Sequence, residues 1–171
     1  MQVEVEFSSA EQKRRVTRAS GRGFTLIELL VVIAIIGLLS SIVLVAVYNA
    51  RAKGRDAKRV GDMSRMVTAF ELFYNTNRGY PAATGSGIPA DMTPSFIASQ
   101  PENPLPADGG CELLDYPNGE PATTYFYAPT GTASVVNGLT VYPNYNYYFC
   151  LGGKTGDLVA GTHALTPKGI R

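Results

Sequence analysis

One carboxylate, Glu28, stands inside an otherwise uncharged stretch from Phe24 to Val47, and four residues before it lies the junction Gly23–Phe24. An ionisable group in such surroundings costs on the order of a few kcal/mol, so it should face a partner and not hydrocarbon. Cutting the chain after the small residue Gly23 would place a new α-amino group on Phe24, a cation close in sequence to the acid. The chemistry on offer is then ion pairing between chains. Catalytic chemistry is hard to find elsewhere. His163 is the single histidine, which excludes a multi-histidine metal centre. The string Gly152-Gly153-Lys154-Thr155-Gly156 fails as a phosphate loop, since Tyr148 occupies the position where the first glycine is needed, and a hairpin turn is the better reading. No nucleophile and base share a spacing that distinguishes them from chance, so no enzyme is expected and no cofactor. Calcium is the one ion for which oxygen donors are in place: Asp108, Glu112, Asp115 and Glu120 cluster in sequence, although their spacing departs from the EF-hand pattern and a solvated loop is the alternative.

The element that must carry Glu28 is a helix. From Phe24 to Val47 it would rise about 36 Å at about 1.5 Å per residue, enough to cross a hydrocarbon core of about 30 Å. Upstream, Lys13, Arg14, Arg15, Arg18 and Arg22 form a basic block, which orients the span with its N-terminus in the cytoplasm and the remainder outside. A secretory signal peptide has a shorter apolar region followed, not preceded, by its small residue. An ordinary signal anchor explains the length but requires neither Glu28 nor the Gly–Phe junction. A buried helix of a soluble protein has no comparable apolar partner in this chain. Whole-chain charge is +1, and residues 24–171, freed of the basic leader, sit near −1, which gives no reason to expect nucleic-acid binding. Both cysteines, Cys111 and Cys150, fall in the part expected outside, where a disulfide can persist; two buried thiols are the alternative.

Gly23-Phe24-Thr25-Leu26-Ile27-Glu28, with the basic leader before it and the apolar helix after it, resembles the prepilin signal of the type IV pilin and pseudopilin family. The resemblance covers residues 21–47 closely, extends plausibly through Tyr80, and is architectural beyond. It implies a leader, 1–23, removed between Gly23 and Phe24 by a prepilin peptidase that also methylates the Phe24 nitrogen. It implies that Glu28 pairs with the Phe24 amine of a neighbouring subunit, and that the chain polymerises with itself through an assembly platform protein, an ATPase and minor pilins or pseudopilins. Inner-membrane lipid holds the subunit before assembly. A Cys111–Cys150 bridge is similar to the one that ties down the C-terminal region of many type IV pilins, whereas most major secretion pseudopilins do without it. The family often has proline where this chain has Val45.

Downstream of the span, residues 48–78 read as an amphipathic continuation of the helix, with an apolar stripe at Val60, Met63, Val67, Phe70 and Tyr74 and stop signals at Asn77, Gly79 and Pro81. The charges between Arg51 and Arg65 read as a solvated, interfacial face. Residues 79–171 read as an exported domain. A proline-rich segment runs from Pro81 to Pro121, with a short helix expected at 95–99. Strands are then expected at 123–128, 134–136, 139–142, 145–151 and 157–160, with Asn137-Gly138 as a type I′ turn. Alternation puts Tyr145, Tyr147, Phe149 and Leu151 on one sheet face, able to cover the helix stripe. The fold class is α+β, a long N-terminal helix packed on a small antiparallel sheet. The leading functional expectation is a type IV pilin subunit. A major pseudopilin of type II secretion is second, and a membrane-tethered ligand-binding domain with a tyrosine-rich sheet is third.

Overall fold

The computed structural model describes residues 23–85 and 87–171; the basic block from Lys13 to Arg22 lies outside the described residues. The chain divides into two compact units, Met1–Ser41 and Ile42–Arg171. Helix α1, Leu26–Asn77, begins in the first and continues in the second. It contains a window of mean hydropathy 3.1 with none of its residues buried, long and apolar enough to cross a membrane. No proline interrupts it, and the helix ends where Arg78 adopts a left-handed φ of 58° and donates its N–H to the carbonyl of Tyr74 at 2.7 Å. Gly79 follows at a point where a Cβ would run into the side chain of Val141, so the chain can turn beneath the sheet only with glycine there.

Among the described residues seven short strands follow. Strands β1 (Tyr80–Pro81), β3 (Ser134–Val136) and β4 (Leu139–Tyr142) form one antiparallel sheet in the order β1-β4-β3, and β2 (Phe126–Thr130), β5 (Asn144–Leu151), β6 (Gly161–Thr166) and β7 (Gly169–Ile170) form a second in the order β2-β5-β6-β7. The β3–β4 turn uses Asn137 and Gly138 at φ 53° and 82°, the two positive values a type I′ hairpin needs. Along β5 the expected alternation holds: Tyr145, Tyr147, Phe149 and Leu151 face a core shared with α1, where Phe70 lies 4.5 Å from the Tyr145 ring and 5.2 Å from that of Tyr127. The opposite face carries Tyr148 and Cys150 into a second cluster with Ala107, Cys111, Tyr116 and Ala122, so the connecting segment forms a third layer over the sheet.

Several expectations need correction. The buried stripe of α1 is Met63, Met66, Ala69, Phe70 and Phe73, while Val67 and Tyr74 remain 36% and 38% exposed. The face is rotated toward Met66 and Phe73, which join the main core, Phe73 with its ring 5.0 Å from that of Phe96 in the connecting segment. The segment expected as a helix at 95–99 is a turn in which Phe96 and Ile97 both donate to the Met92 carbonyl. The last expected strand, 157–160, is a tight turn closed by hydrogen bonds between Thr155 and Leu158, and the strand itself is β6, paired to β5 with Phe149 opposite His163. Gly-Thr-His-Ala-Leu-Thr has little intrinsic β signal; its pairing partner specifies it.

Candidate functional site

Phe24 is 85% exposed, and among the described residues nothing lies where a side chain on Gly23 would reach. Glu28 lies on the first turn of α1. Its Oε2 accepts from the Thr25 backbone N–H at 2.8 Å and from the Thr25 hydroxyl at 2.7 Å, while Thr25 Oγ1 accepts from the Glu28 N–H at 3.2 Å. This Thr-x-x-Glu arrangement is a capping box, which satisfies two of the donors a helix start leaves open. The sequence reading missed it, although the four-residue pattern carries the signal. Glu28 thus holds a local role within its own chain, and its carboxylate sits at the N-terminal end of the helix, where the macrodipole favours negative charge.

The charged middle of α1 is only in part the solvated face expected for it: Arg51, Lys53, Lys58 and Arg65 are exposed. Asp56, Arg59 and Asp62 are buried, continuing at three- and four-residue steps the same face that carries Met63, Met66 and Phe70. Arg59, only 1% exposed, donates Nη1 to Asp56 at 2.6 Å, Nε to Asn103 Oδ1 at 2.8 Å, and Nη2 to the carbonyls of Pro104 and Pro106. Asp56 in turn accepts the backbone N–H groups of Gly152 at 3.0 Å and Gly153 at 2.9 Å. Arg55 grips Asp108 with two hydrogen bonds, at 2.7 and 2.6 Å, and Arg59 reaches the same carboxylate at 3.4 Å. Farther along, Asp62 accepts from Tyr125 Oη at 2.9 Å and pairs with Arg65 and Lys58. The guanidinium fork suits this task because it can serve carboxylate and carbonyl acceptors in one plane.

This network decides the calcium question. Asp108 is buried and taken by two arginines, while Glu112, Asp115 and Glu120 are exposed. Among the described residues no three acidic, cysteine or histidine side chains converge to hold a metal, so the four acids do not fit a calcium ion. The Arg55 guanidinium, bonded to Asp108, holds its carboxyl below the ordinary carboxylate range, with Arg59 adding to the effect and burial opposing it. A carboxyl whose folded pKa is depressed contributes stability that is present above its unfolded pKa, about 3.9, and is lost as pH falls through the lower folded value. Unfolding followed by circular dichroism on detergent-solubilised protein should show stability dropping below about pH 4. In Asp108→Asn that acid limb should flatten; an unchanged limb would assign it to other groups.

Cys111 and Cys150 are joined by a disulfide, with Cα atoms 6.0 Å apart and a sequence separation of 39. The bridge is continuous with the ionic network. Asp108 lies three residues before Cys111, and Gly152 lies two after Cys150. Gly109, at φ 60°, packs so closely on Gly152 that a Cβ on either would overlap the other strand of the contact. Closing a loop of this length is worth about 2–4 kcal/mol. A Cys111→Ser/Cys150→Ser variant should lose about that much stability in denaturant unfolding. Slower proteolysis of the connecting segment than in the parent protein would contradict it.

Comparison with known proteins agrees with this picture. A family model described as the prokaryotic N-terminal methylation motif matches residues 18–44. The chain is 36% identical over 88 residues to the type II secretion system core protein G of Pectobacterium carotovorum subsp. carotovorum, covering 52% of this chain and 55% of that protein. To the protein of the same name from Klebsiella michiganensis it is 34% identical over 92 residues, 54% of this chain and 63% of the relative. To that of Pseudomonas aeruginosa it is 31% identical over 116 residues, 67% of this chain and 78% of the relative. The chain spans little more than half the length of the first of these relatives. No solved structure matches. These relatives favour the pseudopilin over the pilus subunit that led the sequence reading. With Phe24 exposed, one acid in an apolar helix, an α+β domain behind it and these relatives, the chain belongs to the family of type IV pilins and type II secretion pseudopilins.

Proposed function

We propose that the protein is a major pseudopilin of a type II secretion system, a subunit whose polymerisation drives protein export. The similarity to core protein G sequences carries this reading, because it extends past the N-terminal signal into the domain. In this reading residues 1–23 are the cytoplasmic leader, removed by a prepilin peptidase that methylates Phe24. Residues 24–47 span the inner membrane, residues 48–78 continue the helix, and residues 79–171 lie outside it. The subunit then joins a helical filament through the platform protein and ATPase, with minor pseudopilins as further partners, and Glu28 pairs with the Phe24 amine of a neighbour. The physical driving force is transfer of an apolar helix from lipid into a bundle of like helices, where close van der Waals packing and satisfied polar groups replace lipid contacts.

Intact-mass analysis of membranes tests the processing step: the expected mature chain begins at N-methylated Phe24, and a chain retaining residues 1–23 beside an active peptidase would remove the reading. Deleting the gene tests the system. Exported proteins should accumulate outside the inner membrane without loss of surface fibres. Loss of surface fibres with normal export would instead favour the pilus subunit, the second reading, which the Cys111–Cys150 bridge supports.

A further inference from the structure

We propose that the first turns of α1 beyond the apolar run form, with residues 152–156, a docking site for the headgroup of an anionic phospholipid. The proposal rests on residues 24–47 spanning a bilayer, as set out above. The cations of this part of the helix fall into two groups. Arg55, Lys58, Arg59 and Arg65 each pair with a carboxylate. Arg51 and Lys53 are exposed and, among the described residues, have no ion-pair partner.

Lys53 borders a cavity of about 330 Å³, walled by Tyr48 and Asn49 on the helix and by Gly109, Gly152 and Gly153 on the two loops facing it. Asp56 and Asp108 lie at its base, but both are already committed: Asp56 accepts two glycine N–H groups and Arg59, and Asp108 accepts Arg55. Their two charges are matched by the two arginines. Lys53 at the rim is therefore, among the described residues, the one cation of this lining without a carboxylate partner, and Arg51, exposed on another face of the same helical turn, and the exposed Lys154, which directly follows Gly153, add positive charge beside it.

Position selects the occupant. At about 1.5 Å per residue, Arg51 and Lys53 lie about 6 and 9 Å beyond Val47, whereas the polar layer of one leaflet is about 5–8 Å thick. Lysine and arginine stems bridge the remaining distance, since they carry a charge several carbons away from the backbone. Tyr48, 63% exposed, is the first residue past the run, where an amphipathic ring suits the interface. Continuity with the span and the sign of the charge together fit a phosphodiester headgroup bearing net negative charge.

The test uses full-length processed protein in nanodiscs of phosphatidylcholine alone or of phosphatidylcholine mixed with phosphatidylglycerol. Hydrogen exchange at residues 48–55 and 152–156 should slow in the mixed discs, and native mass spectrometry should find phosphatidylglycerol retained over phosphatidylcholine. Arg51→Gln, Lys53→Gln and Lys154→Gln should each weaken that preference about fivefold. Lys53→Arg should keep it, and unchanged exchange at residues 62–73 would show each variant folded. Equal behaviour in both discs, with the chain inserted in each, would overturn the headgroup site and leave the membrane reading standing. Failure to insert in either disc would overturn both. Protection that follows the number of chains per disc, and not phosphatidylglycerol, would assign the cations to a second copy of this chain and overturn the proposal.

Discussion

Glu28→Gln is expected to give a mature, inserted subunit that builds few or no filaments. Gln retains the shape of Glu and can still close the capping box on Thr25, so the helix start should survive. The Gly23–Phe24 junction is untouched, so cleavage should proceed. Loss of a charge makes the span more apolar, so insertion should proceed as well. What disappears in the proposed pairing is the counter-ion of a neighbour's Phe24 ammonium inside the apolar bundle. An uncompensated buried charge costs on the order of 3–5 kcal/mol. At about 1.4 kcal/mol per tenfold, subunit addition falls by about 10²–10⁴. The measurement is sheared-filament yield against inner-membrane subunit at native expression. A normal filament yield would end the pairing mechanism and leave Glu28 as a helix cap alone.

Arg59→Met is expected to destabilise the domain by about 3–5 kcal/mol, although methionine is close in volume and compatible with a helix. The substitution removes the cation between the buried carboxylates Asp56 and Asp108 and the donor to Asn103 and to the carbonyls of Pro104 and Pro106, which form the more accessible edge of the cluster. Arg55 would still hold Asp108, while Asp56 would keep only the two glycine N–H groups. Adding Asp56→Asn to Arg59→Met should therefore cost less than the sum of the single changes, because the second removes the charge the first strands. Denaturant unfolding of detergent-solubilised protein measures all three. Additive losses, or a single-variant loss under about 1 kcal/mol, would show that the cluster is held by packing and not by the ion pairs.

These two residues differ in how visible they are before folding. Glu28 is conspicuous because its surroundings in sequence are its surroundings in space: an apolar helix exposes every neighbour to the same medium, and one charge in that run stands out by composition. The hairpin at Asn137-Gly138 and the face assignment along β5 were legible for the same local reason, since turn chemistry and a two-residue period are short-range properties. Arg59 was hidden among Arg51, Lys53, Arg55, Lys58 and Arg65. Six cations in fifteen residues look like a solvated face, and nothing local says which one the connecting segment will cover.

The sequence by itself determined the prepilin-type motif, the apolar helix with its acid, the α+β class and four of the seven strands described, because these follow from runs, periods and turn residues within a few positions. Tertiary structure alone decided the rest. Residues 103–108 fold back over α1 and bring carbonyls and Asp108 to Arg59, some 45 to 49 residues away in sequence. The same fold-back takes Asp108 from the acidic cluster that suggested calcium and turns it into an anchor. Strand β6 exists because β5 offers it an edge, and not through its own weak preference. Which charge is buried, which acid is free and which strand forms are questions about partners distant in sequence, and a desolvated ion pair is settled only when both of its partners are in place.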